Sequence, residues 1–131
     1  MKKENWIWMP HAGHFCCADR CEFKLNTYVG KYIVSTVGEY RPDSDVIKIC
    51  YPELSHLKGE VLKYKYINEY SCEDIGANRK FETMVFKAIK SGYKCCPYKI
   101  VGIELDFKGY DLAKEACQGH LKLCKKWSAK S

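Results

Sequence analysis

Apolar positions along this chain follow two periods. Alternation comes first: positions 25–29 and 32–37, rich in Tyr, Val, Ile and Thr, flank Gly30-Lys31, and a glycine at the first of two turn positions suits a type II′ hairpin. Further stretches of strand character cover 46–51, 61–67, 81–88 and 99–107. In the last, Val101, Ile103, Leu105 and Phe107 alternate with Gly102, Glu104 and Asp106. No long helical crossover separates these strands, which predicts a mostly antiparallel sheet. Then the period changes. Asp111 is a suitable N-cap, and Ala113, Ala116, Cys117, His120, Cys124 and Trp127 recur at helical spacing, with Lys114, Gln118, Lys122 and Lys125 on the other side. One amphipathic helix is expected to close the fold.

Length limits what this pattern can build. At 131 residues and 47% hydrophobic, the chain suffices for one ordinary core, so residues 1–131 are expected to form a single domain. No run approaches the roughly 18 continuous apolar residues of a membrane helix, and Pro10, His11 and His14 interrupt any apolar core of a signal peptide. A cytoplasmic protein with no membrane partner is expected. Nine cysteines, an odd number, argue against a fully paired secreted disulfide framework and for thiolates bound to metal beside buried thiols.

Those cysteines cluster with histidines at both ends of the chain. Cys117, His120 and Cys124 stand at i, i+3 and i+7 of the predicted helix, all on its apolar face. His11, His14, Cys16, Cys17 and Cys21 crowd the opening segment. Structural zinc takes four nitrogen or sulfur ligands in a tetrahedron, often one pair from a loop and one from a helix. His14, Cys16, Cys21, Cys117, His120 and Cys124 are therefore the candidate metal ligands. The sharpest version pairs His120 and Cys124 with Cys21 and either His14 or Cys16. The competing reading makes the same residues core, since cysteine packs as a small hydrophobe and a histidine on an apolar helix face is often a hydrogen-bonded core residue. Cys95-Cys96 is a second cluster, of which one could be a ligand and the other core, while Cys50 and Cys72 are isolated thiols. Neither His-Glu-x-x-His nor the His-x-Glu with Pro-Cys-x-x-Cys pattern of deaminases occurs, so a catalytic metal is not expected.

Charge adds two further candidates. The net charge is +6, and residues 108–131 alone carry six basic and two acidic side chains. Lys114, Lys122, Lys125 and Lys126 on the helix, with Lys63 and Lys65 of Lys63-Tyr64-Lys65-Tyr66 on a predicted strand, are candidate contacts for an anionic partner such as nucleic acid, a nucleotide or an acidic protein surface. The strand tyrosines are expected inward and its lysines outward. Arg79 would suit a phosphate or carboxylate, and Glu39 and Glu82 could serve as acid or base if the three converged.

Four segments together resemble a family of small, functionally unassigned, Cys/His-rich proteins of bacteriophage genomes: Ile33-Val34-Ser35-Thr36-Val37-Gly38-Glu39-Tyr40, Phe81-Glu82-Thr83-Met84-Val85-Phe86, Cys95-Cys96-Pro97-Tyr98 and Gly119-His120-Leu121-x-x-Cys124. The resemblance spans most of the chain and extends to the opening His11-Ala12-Gly13-His14-Phe15. Where members carry Cys-Arg-Phe-His-Leu, this chain has Cys21-Glu22-Phe23-Lys24-Leu25, so the family's histidine is replaced by Lys24. The resemblance implies phage origin and no established activity; small phage proteins often act on host machinery or host immunity. The expectation is an α+β domain, a small and mostly antiparallel sheet with a C-terminal amphipathic helix clipped by structural zinc. It would inhibit or sequester a host component, such as one of anti-phage defence, through a basic face, with oligomers allowed. The alternatives are an enzyme acting on a nucleotide or phosphorylated small molecule, and a virion or assembly component.

Overall fold

The computed structural model describes residues 6–10, 21–74 and 79–130. Five strands, β1 (Ile7–Trp8), β2 (Cys21–Val29), β3 (Tyr32–Tyr40), β4 (Phe81–Lys90) and β5 (Tyr98–Tyr110), form one antiparallel sheet in the order β1-β2-β3-β4-β5. Three helices accompany it: α1 (Ser44–Cys50), α2 (Gly59–Tyr70) and the C-terminal α3 (Ala113–Ser128). The fold is α+β. Among the described residues no helix is long and apolar enough to cross a membrane.

The β2–β3 hairpin forms as its sequence dictates. Gly30 takes a φ of 84°, and pairing runs from Val29↔Tyr32 to Cys21↔Tyr40. Alternation then assigns each side chain a face. Thr27, Val29, Val34, Thr36, Thr83 and Val85 lie under α3, where Val29, Val34 and Val85 join Trp6 and Cys124 in one buried cluster. On the opposite face Ile33 packs with Met9 and Cys96.

Two expected strands are helices. Positions 46–51 and 61–67 have strand-like composition, yet 46–50 lie in α1, with Tyr51 as its C-cap, and 61–67 lie in α2. The Asp43 carboxylate accepts the Val46 N–H at 3.0 Å and caps α1, and Pro52 follows it and opens a 3₁₀ turn. In α2 the buried pair is Leu62 and Tyr66, four apart, while Tyr64 is 67% exposed. Lys63 and Lys65 are outward and Tyr66 inward as expected, and Tyr64 departs from the expectation because the period is helical. Ile47, Leu54, Leu62 and Tyr66 form a small separate core, and Glu73 ties it to the sheet by accepting the hydroxyls of Tyr51 at 2.6 Å and Tyr66 at 2.8 Å.

The last helix begins one residue later than its sequence suggests. Leu112 occupies the N-cap position without a side-chain cap, and Asp111 instead pairs with Arg79 at 2.5 Å. Ala116, Gly119, His120, Cys124 and Ser128 are its buried positions, whereas Cys117 is exposed.

Candidate functional site

Helix α3 is seated on the sheet by polar contacts. His120 is fully buried, with Nε2 2.8 Å from Thr27 Oγ1 and Nδ1 2.6 Å from Thr36 Oγ1. Thr36 Oγ1 also lies 2.6 Å from Thr83 Oγ1. Thr83 bonds the Tyr110 hydroxyl and Thr27 bonds the Cys124 thiol. The result is a hydrogen-bonded chain under the helix, from Tyr110 through Thr83, Thr36, His120 and Thr27 to Cys124, with Trp8 against the imidazole at 5.4 Å. Burial pushes His120 down to about 4 and the Cys124 thiol up to about 12, so both are neutral at neutral pH.

That arrangement does not fit the expected zinc clip. Both ring nitrogens of His120 already have hydroxyl partners, which leaves no lone pair for an ion. Ligands of one zinc stand within about 4 Å of each other. Cys21 opens β2, roughly 20 Å of extended strand from the Thr27 that touches His120 and Cys124. Cys117 is exposed, whereas His120 and Cys124 are buried. Among the described residues no three His, Cys, Asp or Glu side chains gather to hold a metal ion. His14 and Cys16, with His11 and Cys17, lie outside the described residues, as do residues 75–78.

Beside this helix seat lies an open groove of about 600 Å³ between β5 and α3. Arg79, Lys108, Tyr110, Gln118, Lys122 and Lys126 line it. Two glycines shape its walls. A Cβ at Gly119 would overlap the Tyr110 hydroxyl and ring, so α3 can approach β5 only there, and a Cβ at Gly109 would strike the Arg79 stem that crosses it. Two acidic side chains, Asp106 and Glu115, share the rim. Burial alone would raise the Asp106 carboxyl, but the Trp127 indole N–H at 3.0 Å and the Lys126 ammonium at 2.9 Å outweigh it and hold the group below its usual range. Arg79 is fixed in the same way by Asp111.

Of the residues singled out in the sequence, the groove brings together Arg79, Lys122 and Lys126. Lys114 and Lys125 lie exposed elsewhere on α3. Lys63 and Lys65 are on α2, where Lys65 pairs with Glu69 at 3.3 Å and Lys63 borders a smaller depression near Arg41. Glu39 and Glu82 do not line the groove. Glu82 is buried opposite Val37 and Gly109, and Glu39 has a φ of 54° with its N–H on the Lys80 carbonyl. Sequence reasoning missed Lys108 and Tyr110. Lys108 carries a strand-end signal no different from any exposed lysine, and Tyr110 matters through Thr83 and Gly119, which are distant in sequence. Cys96 is buried and Cys95 exposed, consistent with core packing for one of the pair.

The fold and groove thus define a small α+β protein with a cationic cleft between its edge strand and its C-terminal helix. Matched against protein families, curated proteins and solved structures, the chain finds no counterpart in any of the three.

Proposed function

We propose that this protein is a binding protein that holds an anionic partner in the groove between β5 and α3. The observation behind this reading is that Arg79, Lys108, Lys122 and Lys126, from three separate segments, surround one opening. Scattered surface lysines carry little information, whereas four cations around a cleft attract phosphate or carboxylate from several directions. The cleft's volume, about 600 Å³, is in the range of small-molecule sites. Because Asp111 and Asp106 already pair with Arg79 and Lys126, an entering anion exchanges partners and does not meet bare charge. Affinity should therefore be modest and fall with salt. The resemblance to small phage proteins supports a host component as the partner, bound so as to inhibit or sequester it.

The probes are a nucleoside triphosphate and a polyglutamate peptide, titrated by calorimetry at low salt. Saturable binding of one of them is expected, weakened about tenfold by Arg79→Gln or Lys122→Gln, as for removal of a charge-assisted hydrogen bond. Lys63→Gln and Lys65→Gln on α2 should bind as the parent protein does. Binding of neither probe, or equal weakening by the α2 variants, contradicts the reading.

A further inference from the structure

The β4–β5 hairpin holds a second concentration of charge, independent of the groove. Between Glu82 and Glu104 the chain carries Lys87, Lys90, Lys94 and Lys99 and no carboxylate. All four lysines are exposed, and among the described residues none of them meets a carboxylate, unlike Lys65, Lys80 and Lys126. Topology accounts for their exposure. Strand β3 last pairs with β4 at Tyr32↔Lys87, followed by one bond from the Ala88 N–H to the Lys31 carbonyl at 2.9 Å. Strands β4 and β5 pair onward through Ala88↔Ile100 and Ile89↔Lys99 to Lys90↔Tyr98. A two-stranded ribbon thus continues roughly 7 Å past the β2–β3 turn and ends in the loop of residues 91–97.

One face of the ribbon is packed and the other is open. Tyr98 stacks on Tyr28 with ring centroids 3.6 Å apart, and Ala88 and Ile100 pack against Ile33, Met9 and Cys96. The opposite face shows Lys87 and Lys99 diagonally placed between the exposed Ile89 and Val101. The tip is ordered by bonds from the Ser91 N–H to the Pro97 carbonyl at 2.9 Å and from the Tyr93 N–H to Ser91 Oγ at 3.0 Å. Tyr93 stands out from it, 72% exposed, beside Lys94. At the base Tyr32 meets Trp127 edge-on at 4.9 Å, which brings Lys130 at the end of α3 to the same end of the sheet as Lys31 and Lys87.

We propose that this ribbon is a DNA-binding arm that enters the major groove of a duplex, with its lysines on the phosphates to either side. The major groove, about 12 Å wide, admits a two-stranded ribbon, whereas the deep and narrow major groove of duplex RNA does not. A single strand would need a platform of open rings, and Tyr98 is covered by Tyr28, which leaves Tyr93 as the open ring at the hairpin's tip. A lipid surface would need a broad apolar tip, and here lysines flank Tyr93 on both sides.

Fluorescence anisotropy with a short labelled DNA duplex tests the arm. The parent protein is expected to bind at low salt, with log affinity falling linearly against log salt. Replacing Lys87, Lys90, Lys94 and Lys99 together by Gln should lower that slope by about 0.9 for each phosphate no longer neutralised, and replacing them by Arg should preserve it. Arg79→Gln with Lys122→Gln, which removes charge from the β5–α3 groove, should leave the slope unchanged. The proposal is overturned if the parent protein does not bind the duplex, or if the four Gln substitutions leave the slope intact. It is equally overturned if single-stranded DNA, duplex RNA or anionic vesicles compete as well as the DNA duplex.

Discussion

His120 joins strands β2 and β3 to the last helix through one ring. Each nitrogen of a neutral imidazole has one role, donor or acceptor, and Thr27 and Thr36 take both. A protonated ring would have two donors and no acceptor in a site closed to water. Burial strips water from the charged form of the ring, and this causes the fall from 6.5 to about 4. Between those values the unfolded chain binds a proton that the folded chain does not, so stability rises with pH across that window. The contribution is fully present above about pH 6.5 and disappears as pH falls toward 4, by about 3 kcal/mol in total. Urea midpoints at about pH 7 and about pH 5 should therefore differ more in the parent protein than in His120→Asn. Equal pH dependence in the two proteins would remove His120 from this role.

Close approach of α3 to β5 depends on Gly119. The Tyr110 ring fills the space where a Cβ would stand, and the Tyr110 hydroxyl continues into Thr83 and the buried chain. Gly119→Ala should cost about 1–3 kcal/mol by overpacking, although Ala is the better helix former by about 1 kcal/mol. In a Tyr110→Ala background the clash is gone, and the same change should become neutral or stabilising. Thermal unfolding of the four proteins in this cycle measures the coupling; a penalty that is the same in both backgrounds contradicts it. At this scale some elements are legible in the sequence and others are not. The β2–β3 hairpin, strand β4 and the helix period of α3 follow from local chemistry, namely Gly30, β-rich composition, and the spacing of Ala116, His120 and Cys124, whereas β5 forms where expected although its alternating Val101, Ile103, Leu105 and Phe107 are exposed. Helices α1 and α2 are not legible because Val46, Ile49, Val61 and Tyr64, which give those segments their strand-like composition, are exposed and contribute nothing to a core. What decides them is a cap at Asp43 and a single buried pair, Leu62 and Tyr66. The groove is half legible: the α3 lysines and Arg79 stand out individually, but their meeting depends on a sheet edge and two glycines.

Charge in the whole molecule is organised around β5. Its C-terminal half forms one wall of the groove, opposite α3, and its N-terminal half forms one strand of the ribbon at the hairpin's end. The α1–α2 unit, by contrast, stabilises itself through tyrosines on Glu73 and lines neither feature. An anionic partner is therefore expected on the β5 side of the molecule. Amide and indole NMR spectra recorded during titration with the nucleoside triphosphate test this most directly. Shifts are expected at Gly109, Gly119 and Lys122 and at the Trp127 indole N–H, whose partner Asp106 is released as Lys126 turns to the ligand. Absence of shifts, or shifts confined to α1 and α2, would contradict it.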